Sequence, residues 1–440
     1  MTDTSTALST AQSRLAHAML DAAIKAAQAE TCLPPHLPEP PLKGRVILLA
    51  AGKAAGAMMQ VAERHYREDL GLGPDRLIGL AVTRHGYARP TASLRIVEAG
   101  HPVPDQAGVD ATLETLALAQ DATEDDLVVV LMSGGGSANW VAPAEGLTLA
   151  DKQALTSALL RSGATIGEIN TVRKHLSRIK GGRLARAVAP ARLVTLAISD
   201  VPGDDPAVIA SGPTVPDTTT LADARAICER RLEATPALIR DALNNPDNES
   251  PKPGDLAFEN TQFTLIARPQ ASLEAAAALA RDAGYEVMML GDALEGEARD
   301  LAAEHAGMAC ALSDAGRKVV LLSGGEATVT IQGDGDGGPN QEYALALALA
   351  LDGHPAITGL AADTDGTDGG RGAENDPAGA IVGPDCLVRA NALGLDAAAF
   401  LGRNDSTGFF RAVDALLTPG PSHTNVNDFR CVIVDKRQSY

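Results

Sequence analysis

The chain has 440 residues, of which 45% are hydrophobic and 21% charged, and its formal net charge is −19. This length exceeds one ordinary hydrophobic core, so we expect two domains. The negative charge disfavours nucleic acid and anionic membrane surfaces as partners, although a local basic cluster would still attract an anionic small molecule. No apolar run reaches the ~18 residues of a membrane-spanning helix and the N-terminus lacks the features of a signal peptide, so we expect a cytoplasmic protein. The five scattered cysteines indicate neither a disulfide framework nor a zinc site.

Strand-like and helix-like apolar patterns alternate through the first half of the chain. The predicted strands are 45–50, 77–82, 126–132 and 192–198. Helical spacing predicts helices over 8–30, 52–66, 108–120, 148–162, 171–188 and 221–243. Because the strands are apolar and rich in β-branched residues, they predict a parallel sheet covered by helices on both faces.

A segment rich in proline and turn formers, 244–255, predicts a linker between two domains. A second alternation follows it, with predicted strands at 262–267, 286–290, 318–323, 327–332, 356–361 and 431–434. Predicted helices lie at 270–284, 293–314 and 340–352. The expected architecture is therefore two α/β domains, 1–243 and 255–440, with largely parallel sheets and a cleft between the domains.

Polar residues follow five predicted strands at their carboxyl ends, which is where open parallel sheets bind ligands. A lysine, two glycine-rich loops and several carboxylates suit phosphoryl transfer, in which positioning and charge neutralisation do most of the catalysis. These residues are Lys53, the run Ser133-Gly134-Gly135-Gly136-Ser137, Ser199-Asp200, Ser323-Gly324-Gly325-Glu326 and Asp363-Thr364-Asp365.

The loop Ser133–Ser137 has two interpretations. Its three glycines suit a tight turn between a strand and a helix, and they equally suit a loop whose backbone N–H groups cradle a phosphate. The similar Ser323–Glu326 segment favours an active site. Lys53, which we expect in the first turn of a helix, would add a positive charge where a helix N-terminus already favours anions.

A basic segment holds five Lys or Arg residues between Arg173 and Arg183. On a helix, Arg173, Ser177 and Lys180 would share one face. The segment is either an exposed basic helix face or a site for an anionic group.

Several carboxylates could bind a metal ion or act as a base. Asp200 lies nearest to a strand end, and Glu326 is a candidate for the same roles. Asp363, Asp365 and Asp368 resemble a cation-binding loop but lack the glutamate of a calcium-binding EF-hand. The run Gly333–Gly338 matches a dinucleotide-binding fingerprint, yet its two aspartates would oppose a pyrophosphate, so an acidic loop is favoured.

Taken together, these motifs resemble the class II glycerate 2-kinases, whose C-terminal half is called the MOFRL domain. Proteins of this family are also named as hydroxypyruvate reductases of tartrate utilisation. The motifs occur in the family's order across nearly the whole chain: 52–54, 100–105, 133–137, 170–182, 199–205, 211–213, 323–326, 340–342 and 365–369.

The resemblance implies a Rossmann-like N-terminal domain and phosphorylation of the 2-hydroxyl of D-glycerate by ATP with Mg²⁺. It implies that Lys53 neutralises the transferring phosphoryl group and that Asp200 binds the metal or assists the hydroxyl. It also implies the following binding roles: Ser133, Gly134, Gly135, Gly136 and Ser137 for phosphate, Arg173 and Lys180 for phosphate or the glycerate carboxylate, and Glu326, Asn340, Asp363, Asp365 and Asp368 for closing the site.

The chain departs from the family pattern beside Asn340, where Gly338-Pro339 replaces a glycine–arginine pair. Arg371 is a candidate to replace this missing charge. Two other functions remain open. An NAD(P)H-dependent hydroxypyruvate reductase would need a nicotinamide site, for which only Gly333–Gly338 is a candidate, and a non-catalytic metabolite-binding protein would not need so many reactive groups at strand ends.

Overall fold

The computed structural model describes residues 2–370 and 375–436, with side chains from residue 10 onward. These residues form two compact units. We call Ala29–Ile266 the central unit, and the described residues of Met1–Gln28 and Ala267–Tyr440 the terminal unit. The first helix, α1 (Thr2–Ala27), belongs to the terminal unit. No helix in the described ranges is both long enough and apolar enough to cross a membrane.

The central unit is built on a six-stranded sheet with the order β3-β2-β1-β4-β5-β6. Strands β1 to β5 pair in parallel, as predicted. This order is that of the Rossmann fold, in which ligands bind where the strand order reverses, here between β1 and β4. The strands are β1 (Val46–Ala51), β2 (Leu77–Arg84), β3 (Arg95–Ala99), β4 (Leu127–Met132), β5 (Arg192–Ile198) and β6 (Thr261–Ala267).

Nine helices surround this sheet in the described part of the central unit. Two predicted helices are each interrupted, 171–188 by left-handed glycines at 181 and 182 and 221–243 by a break before Pro236. The helices are α2 (Ala29–Cys32), α3 (Ala55–Arg64), α4 (Gln106–Gln120), α5 (Gly136–Asn139), α6 (Leu149–Arg161), α7 (Ile166–His175), α8 (Arg183–Val188), α9 (Leu221–Arg231) and α10 (Ala237–Asn244).

The terminal unit contains a second six-stranded sheet, with the order β11-β10-β9-β12-β8-β7. Only β7 and β8 pair in parallel, so this sheet differs from the largely parallel one that the sequence predicts. Strands buried on both faces are continuous apolar runs in either orientation, and the pattern therefore does not reveal the direction. The strands are β7 (Glu286–Glu297), β8 (Val319–Thr328), β9 (Ile357–Asp363), β10 (Gly379–Val382), β11 (Leu416–Leu417) and β12 (Asp428–Val434).

The segment Ser323-Gly324-Gly325-Glu326 lies inside β8, and the prediction that it forms a glycine-rich loop at a strand end is wrong. Gly325 has φ +108°, and a Cβ there would lie 2.2 Å from the backbone nitrogen of Leu294. The register between β7 and β8 shifts next to this contact. The glycine therefore allows a local irregularity of the sheet. Residues 293–297, predicted as helix, continue β7, and the predicted strand 327–332 is only the end of β8.

Helix α1 packs in the terminal unit and not in the N-terminal domain that was predicted to contain it. Apolar residues of α1, among them Met19, share a core with Leu273 of α11, and Gln12 Nε2 donates to Asp435 Oδ2 at 3.0 Å. This division of the chain differs from the predicted domains 1–243 and 255–440, because contacts between distant segments leave no periodic signal. The remaining helices are α11 (Pro269–Asp282), α12 (Ala298–Asp314), α13 (Pro339–Leu351), α14 (Cys386–Ala392), α15 (Ala397–Gly402) and α16 (Ser406–Ala412).

Candidate active site

The turns after β1 and β4 are joined by hydrogen bonds at the point where the strand order reverses. The Lys53 N–H donates to the Gly134 carbonyl at 2.8 Å, and the Ala54 N–H donates to Ser133 Oγ at 2.9 Å. A Cβ at Gly52 would lie 2.3 Å from Ser133 Oγ, so only glycine fits there. The buried Ser133 hydroxyl thus braces the two turns, and Lys53 lies in the first of them, just before α3.

Two glycines of the β4 loop are required by close neighbours. Gly135 has φ +82°, and a Cβ there would lie 2.9 Å from His101 Cδ2 and 3.3 Å from Lys53 Cγ. A Cβ at Gly136 would lie 3.0 Å from the Cβ of Ala210. The loop therefore combines the tight turn with a position between His101 and Lys53 at the ligand-binding edge of the sheet.

Ser137, at the end of this loop, is held by two cationic side chains. Lys180 Nζ donates to the Ser137 carbonyl at 2.7 Å, to Ser137 Oγ at 3.1 Å and to the Trp140 carbonyl at 2.9 Å. Arg173 Nη2 donates to Ser137 Oγ at 2.8 Å. Arg173 and Lys180 do not share a helix face as predicted, because α7 ends at His175 and Lys180 follows in a turn. The turn brings Lys180 to the same serine.

A third cation, Lys152 of α6, joins this cluster. Its ammonium group donates to the Leu176 carbonyl at 3.1 Å. Burial, together with repulsion from Arg173 and Arg183, lowers the pKa of Lys152 to about 7. Burial also lowers the pKa of Lys180 well below its ordinary value, and repulsion from Arg173 and Lys152 adds to the effect.

Lys152, Arg173 and Lys180 form no ion pair with a carboxylate among residues 2–370 and 375–436. By contrast, the buried Lys174 pairs with Asp217 at 3.3 Å. Charged groups that are removed from water without a counter-charge are costly. We call Ser137, Lys152, Arg173 and Lys180 the cation cluster, and its unbalanced charge favours an anionic ligand.

A second hydroxyl contacts the cation cluster. Ser137 Oγ lies 2.8 Å from Ser211 Oγ. With Arg173 and a protonated Lys180 as donors, both lone pairs of the Ser137 oxygen are engaged, so the Ser137 hydroxyl donates its hydrogen to Ser211. Ser211 therefore fixes the direction of the Ser137 hydroxyl.

The backbone that carries Ser211 is strained. Ala210, Ser211 and Gly212 have φ values of +50°, +63° and +60°, although left-handed backbone is unfavourable for the first two. The Gly181 N–H donates to the Ser211 carbonyl at 3.0 Å, and the Gly182 N–H donates to the Gly212 carbonyl at 2.7 Å. The same glycines that end the basic segment thus hold the strained turn against Ser137.

Asp200 follows β5 and is half-buried. Ala197 of β5 pairs with Met132 of β4, so Asp200 lies at the same sheet edge as the Ser133–Ser137 loop. The described parts of the chain contain no group of three or more His, Cys, Asp or Glu arranged to hold a metal ion. Magnesium commonly uses one or two carboxylates together with substrate phosphates, and a single carboxylate at this edge fits that chemistry.

In the terminal unit, the structure brings Asn340 and Asp368 together at the start of α13. The backbone N–H groups of Asn340 and Gln341 donate to the Asp368 carboxylate at 3.0 and 2.8 Å. Asn340 Nδ2 reaches Asp368 Oδ1 at 3.2 Å and Asp428 Oδ1 at 2.6 Å. Burial and the nearby Asp428 raise the pKa of Asp368 to about 7. Asp368 therefore caps the helix from a distant loop.

The remaining predicted carboxylates differ in exposure. Asp365 is buried and accepts from the Thr367 N–H at 2.8 Å, and its own N–H donates to Asp363 Oδ1 at 2.9 Å. Asp363 lies opposite Asp428 in the pairing of β9 with β12. Glu326 is exposed on β8. Arg371, the suggested replacement cation, lies outside the described residues.

The glycines of Gly333–Gly338 pack against their own chain. A Cβ at Gly333 would lie 2.3 Å from the Arg403 carbonyl oxygen, and one at Gly335 would lie 2.4 Å from the Cβ of Asp405. The Gly335 N–H donates to the same Arg403 carbonyl at 3.0 Å. These contacts explain the glycine spacing as packing and support the interpretation as an acidic loop.

Three residues of these clusters were given no role from the sequence, although Ser211 belongs to the family motif 211–213. Lys152 sits on an amphipathic helix, where its pattern is that of any surface lysine. Ser211 lies in a Ser-Gly-Pro segment that carries no periodic signal. Asp428 precedes Arg430 at the start of β12, and the predicted strand began only at 431.

Comparisons with known proteins agree with this fold. Residues 15–244 match the family described as "Domain of unknown function (DUF4147)", and residues 319–428 match the MOFRL family. A protein of Agrobacterium vitis, provisionally named a hydroxypyruvate reductase, is 48% identical over 94% of this chain and 93% of its own. The D-glycerate 2-kinase of Thermotoga maritima is 39% identical over 87% of this chain and 89% of its own.

A solved structure is similar along nearly the whole chain. The crystal structure of glycerate kinase from Thermotoga maritima has a TM-score of 0.84 and 38% sequence identity, and the match covers 96% of this chain and 99% of that one. Both halves of the chain and the order of its elements are thus found in that enzyme. The chain belongs to the glycerate 2-kinase family that carries a C-terminal MOFRL domain.

Proposed function

We propose that the protein is a glycerate 2-kinase, which transfers the γ-phosphoryl group of ATP to the 2-hydroxyl of D-glycerate and releases ADP and 2-phosphoglycerate. The observation that carries this proposal is the cation cluster, in which Lys152, Arg173 and Lys180 have no carboxylate partner among the described residues. Phosphoryl transfer depends on fixed positive charge around the phosphates, and this cluster supplies it.

In this proposal, Arg173 holds a phosphate group of the nucleotide, while Lys180 adds positive charge beside it and, with the Ser137 hydroxyl, keeps Arg173 in position. Lys53 neutralises charge on the transferring phosphoryl group from the turn after β1. The backbone of Gly134, Gly135 and Gly136 lines the same edge, while Ser133 braces the two turns. The joined turns keep these groups in place, so little reorganisation accompanies the transfer.

Asp200 is the proposed ligand of Mg²⁺. The ion would supply charge neutralisation on the phosphates when bound, and the half-buried carboxylate at the end of β5 fits an ion that is otherwise held by phosphate oxygens. Asp200 is also the candidate that orients or deprotonates the acceptor hydroxyl.

For the terminal unit, we assign roles by exposure. Glu326 is exposed and Asp363 is half-buried, and we propose that both face a ligand. Asn340, Asp365 and Asp368 are buried in hydrogen bonds with their own chain. We therefore propose that these three position the start of α13 and the loop after β9.

The name of the 48% identical relative makes hydroxypyruvate reduction the second candidate. The loop proposed for a nicotinamide, Gly333–Gly338, packs on residues 403–405, which supports the kinase instead. Two parallel assays separate the candidates: ADP release with D-glycerate, ATP and Mg²⁺, and NADH or NADPH oxidation with hydroxypyruvate. The proposal expects only ADP release, with turnover strongly reduced in Lys53→Ala. Cofactor oxidation without ADP release would establish the reductase.

A further inference from the structure

A cavity of about 410 Å³ in the central unit adjoins the cation cluster. Helices α6 and α7 and the loop after β3 form its walls, which are mainly aliphatic. Three polar members of the cation cluster, Ser137, Lys152 and Arg173, also line it. The cavity therefore joins an apolar space to a positively charged end.

The apolar walls continue to the protein surface. Val103, Leu160 and Ile166 line the cavity and are 65%, 60% and 65% exposed. Lys152, at the other extreme, is 7% exposed, so the charged groups lie deep and the apolar side chains lie at the mouth. Exposed apolar residues that surround a concave space with a few converging polar groups mark a ligand site.

The chemistry of the two proposed substrates, glycerate and a nucleoside triphosphate, decides which of them fits the cavity. Glycerate carries an oxygen on each of its three carbons and gains little from aliphatic walls. A nucleoside triphosphate joins a flat, largely apolar base to a polyanion, which matches the order of groups in this cavity. The volume lies within the range of small-molecule pockets, about 300–1,000 Å³.

We propose that this cavity binds the nucleoside part of the nucleotide, with the base between α6, α7 and the loop after β3 and the phosphates directed to Lys152 and Arg173. This inference rests on the proposed kinase function. It places the nucleoside on the side of α6 and α7, and it leaves the sheet edge at Lys53 and Asp200 for the transferring phosphoryl group and glycerate.

Equilibrium dialysis with radiolabelled ADP tests this site without requiring turnover. The double variant Leu160→Ser/Ile166→Ser removes two exposed apolar side chains, and Thr156→Trp fills the cavity. We expect the ADP dissociation constant to rise at least about tenfold in each, while the KM for glycerate of the double variant stays within about twofold. Leu238→Ser is the matched control, because Leu238 is 55% exposed elsewhere in the central unit; its ADP affinity should stay that of the unaltered protein.

The outcomes separate this site from the proposed function. Formation of 2-phosphoglycerate with an unchanged ADP dissociation constant in the double variant would overturn the nucleoside site alone. A raised KM for glycerate with unchanged ADP binding would also overturn it, by giving the cavity to the acceptor. Loss of ADP binding in the variants of a protein that phosphorylates no glycerate would support the site and refute the kinase. If Thr156→Trp does not fold, the double variant decides the result.

Discussion

Lys180 Nζ donates at 2.7 Å to the carbonyl oxygen of Ser137 and at 3.1 Å to its hydroxyl oxygen. Replacing Lys180 by methionine keeps much of the side-chain volume but removes the charge and leaves two carbonyl groups without their donor. We expect kcat/KM for ATP to fall by about 100-fold or more, because the variant loses a fixed positive charge near the phosphates and the bonds that hold Ser137 in place. Steady-state kinetics with varied ATP measure this change.

Arg178→Met is the matched control for Lys180→Met. Arg178 is an exposed cation of the same basic segment, two residues from Lys180. Its removal should leave kcat/KM within about twofold, because screened surface charges contribute little. Equal losses in the two variants would show that overall positive charge matters and that the position of Lys180 does not.

The variant Ser211→Gly separates the effect of backbone strain from the effect of the Ser211 hydroxyl. In Ser211→Gly the left-handed backbone is relaxed and the hydroxyl is lost, so the free energy of unfolding should change by less than about 1 kcal/mol. We expect kcat to fall about tenfold, because the Ser137 hydroxyl loses the acceptor that orients it. Urea unfolding and initial rates report the two effects separately.

Asp352→Gly serves as the comparison for Ser211→Gly, since Asp352 also has a positive φ, +44°, at the end of α13. This variant should match the unaltered protein in rate and be at least as stable. If Ser211→Gly also keeps its full kcat, the hydroxyl pair has no part in positioning.

We expect ADP binding to depend on pH because of the lowered pKa of Lys152. Because its pKa is lowered to about 7, Lys152 is charged below that pH and neutral above it in the free protein. A bound phosphate favours the charged form, so ADP affinity should fall as the pH rises from about 6 to about 8, by roughly tenfold for one unit of pKa change. Equilibrium dialysis across this range measures the slope.

Lys152→Met should show a shallower slope of ADP affinity against pH, because it lacks the titrating amine of Lys152. The titration of ADP itself is common to both proteins. Arg173 and Arg183, the other charged groups that shift Lys152, stay protonated across this range and contribute no slope. Identical slopes in the two proteins would remove Lys152 from the phosphate site.

We expect removal of the Asp368 carboxylate to lower the stability of the terminal unit. Its carboxylate accepts from the Asn340 and Gln341 N–H groups, and Asp368→Ala would leave these buried donors without partners. We expect the free energy of unfolding to fall by about 3 kcal/mol. Asp334→Ala, which removes an exposed carboxylate of the same unit, should change it by less than about 0.5 kcal/mol. A similar small change in both would refute the capping role of Asp368.

The central sheet was predictable because its inner strands are uninterrupted apolar runs. All six residues of β1 and all six of β4 are buried, so both stood out against their flanking turns. Strand β3, at the sheet edge, was missed because Arg95 and Glu98 interrupt its short apolar run and only Ala99 is buried. The antiparallel pairing of β12 was missed because a doubly buried strand looks the same in both directions.

The proximity of the predicted site residues was expected partly from the positions of strand ends and partly from a wrong local geometry. Lys53 and the Ser133–Ser137 loop follow from the rule that ligands bind at the carboxyl ends of parallel strands. Arg173 and Lys180 were paired on a helix that in fact ends between them, and the left-handed turn at Gly181 and Gly182 brings them together instead. Periodicity reports local structure, whereas these contacts depend on how the chain folds back.

The position of the new phosphate decides whether the protein is a glycerate 2-kinase. Phosphorus NMR of a reaction containing the protein, D-glycerate, ATP and Mg²⁺ distinguishes 2-phosphoglycerate from 3-phosphoglycerate by the coupling of phosphorus to one or to two protons. A glycerate 2-kinase gives a doublet from phosphate on C2 that appears together with ADP and is strongly reduced in Lys53→Ala. A triplet from phosphate on C3, or no phosphorylated glycerate at all, would contradict the proposed function.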